Sequence, residues 1–308
     1  MKKTDAANAA NWSHYAIFGV FIVAALLMWL KTKRIFFLFD LPYIGLSLFA
    51  GFMLHRHLPK EKRQLARKVP QLLIGLYFLF VLGLYMRTNM QVEGFFLQCF
   101  YGVFSGAIIH YTIAKLAGPL LFNRGFCGWA CWTAMVLDFL PWKASQKRYK
   151  YYGILRYLHL SASCILMVIL FYIMKNSPER KTIGAVYWMV TGNVLYYVIG
   201  VPLACMLKDN RAFCKYFCPI PPLQKIGARF ALLKPEVDNS KCIQCGICEK
   251  NCLMNIKILD YAKENKRILS TECILCMACR DSCPKDAIQL TKGFDAGFKE
   301  KISFNVNK

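Results

Sequence analysis

The sequence predicts a mainly α, polytopic membrane helical bundle of about six spans, followed by a small α+β domain at the C-terminal end. Three observations predict it. Hydrophobic residues make up 56% of the 308 positions and charged residues 19%, against roughly 45–50% and roughly 25% in soluble proteins. The long apolar runs are confined to residues 1–233, whereas 234–308 have an ordinary soluble composition. Runs close to the roughly 20 residues that cross a hydrocarbon core of about 30 Å recur at 12–30, 69–86, 95–117, 153–174 and 184–207.

The first run comes after Met1-Lys2-Lys3 in the manner of a signal peptide. Lys31, Lys33 and Arg34 succeed it in place of a small-x-small cleavage site, so it reads as an uncleaved first span. Segment 35–54 is interrupted by Asp40 and Pro42. Asp40-Leu41-Pro42 reads as a helix start, with an Asp N-cap and an early proline. The apolar stretch after Pro42 is a sixth span or a re-entrant piece; the spanning reading is favoured, and it puts both termini on one side.

Charge orients the bundle. The net charge is +23, of which residues 234–308 carry only +3, from 13 basic and 10 acidic side chains. The basic excess lies in short loops beside the spans. Stretch 55–68 has six Lys and Arg against Glu61, loop 118–152 has Arg124, Lys143, Lys147, Arg148 and Lys150 against Asp138, and Lys208, Arg211 and Lys215 come after the last span. These loops are expected on the cytoplasmic face with the C-terminal domain, against anionic lipid headgroups rather than nucleic acid. Trp12, Trp129, Trp132, Trp142 and the tyrosines at 149–152 suit an interfacial belt, and glycines in the spans let helices approach closely. The organisation expected is a transmembrane domain over 1–207, a membrane-proximal linker over 208–236, a cysteine-rich domain over 237–292 and a tail over 293–308.

Twelve of the fifteen cysteines fall in close-spaced groups. Length and membrane spans argue against a secreted disulfide scaffold, and the spacing is that of metal ligation. Cys242-x2-Cys245-x2-Cys248-x3-Cys252 is repeated as Cys273-x2-Cys276-x2-Cys279-x3-Cys283-Pro284. This is the run of two-cluster bacterial ferredoxins, in which the fourth cysteine of each group ligates the other cluster. Two 4Fe–4S clusters are expected, one on Cys242, Cys245, Cys248 and Cys283, the other on Cys273, Cys276, Cys279 and Cys252. Zinc rarely uses such a duplicated eight-cysteine spacing. Leu253 stands where the second copy has a proline after its fourth cysteine; that changes local rigidity and removes no ligand.

A second repeat lies in the membrane part. Asn123-Arg124-Gly125-Phe126-Cys127, with Cys131 beyond it, recurs as Asn210-Arg211-Ala212-Phe213-Cys214, with Cys218 beyond it, at a constant offset of 87 residues. Each copy comes after a pair of spans, and a two-span repeat keeps its orientation. Both cysteine pairs are therefore expected at one membrane surface, facing each other. Positions i and i+4 of a helix share a face, whereas Cys218 precedes Pro219 and is expected to leave its helix. Cys127, Cys131, Cys214 and Cys218 are a candidate third redox or metal site; iron–sulfur, another thiophilic metal and a dithiol/disulfide couple all suit it. The bland alternative is four buried thiols that pack as small apolar groups.

His110 and His159 lie in separate spans and read as packing or proton-handling residues rather than haem ligands. Arg156 either meets a quinone oxygen or snorkels to headgroups. No hydrolytic constellation and no phosphate-cradling glycine loop stands out.

Taken together, the paired C-x3-C blocks, the spans and the terminal double-cluster motif resemble the membrane polyferredoxins of the NapH/NosR type, over about residues 69–290. That family includes the quinol dehydrogenase subunit of periplasmic nitrate reductase systems, the nitrous oxide reductase regulator and the cytochrome oxidase assembly ferredoxin. Members often have proline after both blocks; here Trp132 stands after the first. The function expected is electron transfer in a multi-pass protein of the prokaryotic inner membrane, between the quinone pool or a cytoplasmic donor and a respiratory reductase. The resemblance implies the quinol-oxidising role, with a reductase complex as beneficiary. The alternatives are a maturation factor that reduces a metal or disulfide for another enzyme, and a membrane anchor that docks a ferredoxin.

Overall fold

The computed structural model describes residues 2–102, 106–145, 147–174, 178–296 and 300–305. Among the described residues five helices are long and apolar enough to cross a membrane: Tyr15–Thr32, Phe36–His57, Lys60–Tyr85, Tyr151–Ile173 and Val186–Leu207. The fold is the expected one, a helical membrane bundle with a small C-terminal α+β domain.

Two elements differ from the sequence reading. Helix Phe36–His57 runs through Pro42, and Ile35, not Asp40, occupies the cap position. Pro42 forfeits one backbone bond in the second turn. Asp40 is fully buried, and Tyr77 donates its hydroxyl to Asp40 Oδ1 at 2.9 Å, so tertiary contacts and not a cap hold the carboxylate. The expected span 95–117 is not one helix. It divides into Val92–Phe100 and Gly106–Tyr111, with 103–105 outside the described residues, and continues through the wide turns of Thr112–Ala117 into Gly118–Phe122. Gly102 ends the first piece at φ +65°, a left-handed conformation that glycine adopts freely.

Small residues set the helix spacing. A Cβ on Gly51 would lie 2.5 Å from Pro70 Cγ, so helices Phe36–His57 and Arg63–Leu76 meet there only because the side chain is missing.

The three basic regions share one face with the C-terminal domain. Lys60 pairs with Asp286 at 2.7 Å, Arg124 with Glu272 at 2.8 Å, and the Lys215 ammonium donates to Asn255 Oδ1 at 2.5 Å. In that domain, strand Leu233–Val237 pairs antiparallel with Ile288–Lys292, from Leu233 opposite Lys292 to Val237 opposite Ile288. The described part of the tail, 300–305, does not hang free. Ser303 accepts from the Arg148 amide at 2.8 Å and donates its own amide to Asn255 at 2.9 Å, tying a membrane loop to the domain. The last positions, 306–308, lie outside the described residues.

Candidate metal centres

The two ferredoxin-type cysteine groups are built alike. Each C-x2-C-x2-C loop must wrap around a small volume, and the chain does so with left-handed residues at matching places. Gln244 and Gly246 take φ 52° and 74° in the first copy, and Leu275 and Met277 take 48° and 57° in the second. One-turn helices Ile247–Lys250 and Ala278–Asp281 come next and carry Cys248 and Cys279. Past each fourth cysteine the match continues. Cys252 Sγ accepts from the Ile256 amide at 3.4 Å and Cys283 Sγ from the Ala287 amide at 3.3 Å. Such N–H···S bonds are among the protein's means of setting a cluster's potential.

Cys242, Cys245, Cys248 and Cys283 line one cavity near the surface of the domain. The other four thiols lie further in. Burial pushes Cys279 well above its usual range, and Cys276, Cys252, Cys273 and Cys248 add to the rise; burial also raises Cys252, and Cys276 of the other group adds to it. Burial also pushes Cys248 up to about 12, reinforced by Glu249 and by Cys242 and Cys245. Buried sulfurs of this kind are stable as thiolates only beside a strong positive charge, and a coordinated metal deprotonates them outright. Among the described residues no three His, Cys, Asp or Glu side chains converge tightly enough to hold a single metal ion. Four sulfurs that line one volume, as Cys242, Cys245, Cys248 and Cys283 do, fit a multi-iron cube.

The membrane-side cysteines also meet. Cys127, Cys131, Cys214 and Cys218 line a single cavity with Lys115, Arg124, Phe126, Trp132 and Tyr196. Cys127 and Cys131 do not share a helix face: Cys127 lies in Gly125–Trp129, the chain breaks at Ala130, and Cys131 is the extended residue ahead of Trp132–Leu137. Two short helices with a break between them aim both thiols at one volume, which a straight helix at i and i+4 need not do. In the second copy helix Ala212–Tyr216 ends before Cys218, as the prolines suggested. Burial, then Cys127 and Cys214, push Cys131 up to about 12. Cys127 donates its thiol to Gln224 Oε1 at 3.1 Å, and Arg211 Nη1 lies 3.9 Å from Cys214 Sγ.

Positive charge is concentrated here. The Lys115 ammonium is buried 4.4 Å from the ring centre of Tyr111 and 4.3 Å from that of Trp132, with no ion-pair partner among the described residues. Glu272 is fully buried and faces four cations: Arg124 at 2.8 Å, Arg148 at 3.2 Å, Arg156 at 3.0 Å and Lys225 at 2.7 Å. Asp138 faces Arg67 at 2.7 Å and Arg211 at 2.5 Å. The cations outnumber the carboxylates, and buried charge of one sign calls for charge of the other. Metal–thiolate centres, whose four sulfurs are anionic, have the required sign.

The cysteine cavity abuts the second cluster motif. A Cβ on Gly128 would lie 2.1 Å from the carbonyl oxygen of Ile274, so glycine is what lets the two backbones touch. Trp129 donates its indole N–H to the Leu275 carbonyl at 2.9 Å, and the Arg124 amide donates to the Cys273 carbonyl at 3.2 Å. Residues between Cys127 and Cys131 thus hold the loop between Cys273 and Cys276.

Several sequence expectations are corrected. Trp129 and Trp132 are interior residues, not members of an interfacial belt. Arg156 does not snorkel to the headgroups; it is buried against Glu272. Arg124 and Arg148 likewise serve the interior rather than the headgroups. The span histidines are engaged separately, His110 by Asp40 at 2.8 Å and His159 by the Phe217 carbonyl at 2.9 Å. Lys115, Gln224 and Glu272 were not singled out by sequence; only the position of Glu272 directly before Cys273 could have drawn attention to it.

Comparison with known proteins agrees with this geometry. A 4Fe-4S dicluster domain model matches residues 241–288, and a 4Fe-4S binding domain model matches 111–150 and 193–236, the two segments that carry the C-x3-C blocks. Cysteine architecture, apolar helices and these matches define a membrane iron–sulfur protein of electron transfer. Two uncharacterized proteins of Methanocaldococcus jannaschii are similar to it. One is 27% identical over 78% of this chain and 91% of the relative, the other 25% identical over 76% and 98%. The ferredoxin-type protein NapH of Haemophilus influenzae is 25% identical over 61% of this chain and 69% of its own length. YccM of Escherichia coli, named for electron transport, is 21% identical over 56% and 52%. The chain is thus similar to the NapH-like polyferredoxins. No solved structure matches it.

Proposed function

We propose that this protein takes electrons from the quinol pool of a prokaryotic inner membrane and passes them through its iron–sulfur centres to a respiratory reductase. The single observation that carries the proposal is the contact at Gly128. It joins the four-cysteine cavity of the membrane part to the loop of Cys273 and Cys276 without an intervening side chain. Cys242, Cys245, Cys248 and Cys283 would hold one 4Fe–4S cluster, and Cys252, Cys273, Cys276 and Cys279 another. Cys127, Cys131, Cys214 and Cys218 would hold a third metal–thiolate centre, for which the surplus of buried cations is the support. The clusters supply one-electron chemistry. The chain supplies their spacing, their charge environment and their shelter from water. The basic loops and the C-terminal domain are assigned to the cytoplasmic side on charge. A terminal reductase and its redox subunits would be the partners, as the resemblance to the quinol dehydrogenase subunit of periplasmic nitrate reductase systems implies.

Iron analysis of oxygen-protected protein tests the third centre. About 12 irons per chain are expected, falling to about 8 in C127S and C214S with the ferredoxin signals intact. A count of about 8 in the unaltered protein would remove an iron centre from the cavity. Copper recovered there, with reduced clusters re-oxidised by copper(II), would favour the maturation reading, since soft thiolates also select copper(I). Reduction of the visible iron–sulfur absorption by a menaquinol analogue tests the electron donor.

A further inference from the structure

Deep among the membrane helices a carboxylate and an imidazole face each other. Asp40 is fully buried, and its Oδ2 lies 2.8 Å from Nε2 of His110. Tyr77 donates its hydroxyl to the other carboxylate oxygen at 2.9 Å. On the same helix, His55 reaches Asp281 of the C-terminal domain at 3.2 Å. Asp40 lies fifteen residues earlier, about 22 Å along the axis at about 1.5 Å per residue. Ionisable groups at such depth are costly, and they persist where ions or protons are handled. Nothing in the electron path described above uses them.

Two routes lead away from the pair. Towards the cysteine cavity, the Phe78 ring packs edge-on to His110 at 5.6 Å and to Trp132 at 6.0 Å, and Trp132 lines the cavity. Towards lipid, the half-buried Tyr77 ring lies 4.6 Å from that of Tyr43, which is 37% exposed on a membrane-spanning helix. A chain of contacts therefore runs from the lipid-facing surface, through the Asp40–His110 pair, to the rim of the cysteine cavity.

We propose that Asp40 and His110 are the proton acceptors of a quinol-oxidising site, with the headgroup docked from the lipid against Tyr43 and Tyr77. The inference rests on the quinol reading above and adds where the protons go. Hydroquinones fit because they arrive through lipid and release protons together with electrons; a hydride donor or a soluble ferredoxin arrives from water. In the step, the hydroquinone loses two O–H bonds and two electrons and becomes the quinone. The iron–sulfur centres that the cysteine sets would hold would supply the acceptors for the two electrons, one each. The Tyr77 oxygen accepts each quinol proton as its own proton passes to Asp40. One proton ends on the Asp40 carboxylate and the other on the neutral His110 imidazole, and Tyr77 is left unchanged.

The test uses oxygen-protected holoprotein, reduced either by menadiol or by dithionite, with bleaching of the visible absorption as the rate. D40N is expected to slow reduction by menadiol about 100-fold or more, the lower end of what a positioned general base contributes. Y77F is expected to slow it as well, D40E to recover part of the rate, and all three to keep their iron and their dithionite rate. A second readout is the infrared difference spectrum: menadiol should raise a carboxylic acid C=O band in the unaltered protein that D40N lacks. If D40N and Y77F react with menadiol at the unaltered rate, or the band survives in D40N, the proton-acceptor assignment is overturned and the quinol reading stands. If the unaltered protein is reduced by dithionite but not by menadiol, the quinol reading falls and this site falls with it.

Discussion

Glu272 shows how much one buried carboxylate can organise. Burial pushes its pKa up, yet Arg148, Arg156, Arg124 and Lys225 outweigh burial and hold it well below the usual carboxylate range. Breaking a buried ion pair by removing one partner typically costs about 3–5 kcal/mol. E272Q should therefore lose a comparable amount, read as a lower melting temperature and faster proteolysis between 208 and 236. The pH dependence has a definite sign. A carboxyl with a depressed pKa in the folded state contributes fully above its unfolded value of about 4.3, and the contribution fades as pH falls through the folded value. The difference between E272Q and the unaltered protein should thus be constant from about pH 5 to 8 and shrink only in stronger acid. Gly128 makes its contribution by lacking a side chain. In G128A the new methyl would meet the Ile274 carbonyl at 2.1 Å. Both atoms are fixed to backbone, so a loss of about 1–3 kcal/mol is expected by thermal unfolding, together with slower electron exchange between cavity and domain.

At the scale of elements, the divided helix between Val92 and Phe122 matters most. An unbroken span would carry Lys115 on a regular helical face. The wide turns of Thr112–Ala117 instead set its ammonium among Tyr111, Trp132 and Phe126, on the wall of the cysteine cavity. Turns of this width recur at functional sites. K115M keeps most of the volume and removes the charge. A centre in that cavity should then become harder to reduce, and each 1 kcal/mol of lost charge stabilisation lowers a one-electron potential by roughly 40 mV. Redox titration of the signal absent from C127S and C214S measures it; an unchanged potential would mean that Lys115 does not face the centre.

Over the whole molecule, the membrane part and the C-terminal domain are held together by interior contacts rather than surface attraction. The Glu272 pairs are buried and escape salt screening, whereas Lys60–Asp286 is exposed and does not. Salt at about 1 M should consequently leave the domain docked, as judged by unchanged proteolysis in the linker. Removing 300–308 deletes the bonds from Ser303 and Asn305 to Arg148 and the Lys301–Lys257 contact. That truncation should accelerate the same proteolysis, even though it removes no cysteine.

Much of this architecture was legible in the residues. Span length, the duplicated eight-cysteine spacing and the 87-residue offset between C-x3-C blocks are properties of short stretches, and chain geometry alone carries them. By itself the sequence determined a membrane bundle, a cysteine-rich redox domain at its end and two thiol pairs destined for one surface. Tertiary structure decided which charges are interior, because the partners of Glu272 come from 124, 148, 156 and 225, and no local pattern links them. It also decided that Asp40 meets His110 instead of capping a helix, and that Trp129 and Trp132 face inward. Hydropathy reports a residue's preference for leaving water; only the packed chain says what it meets once it has left.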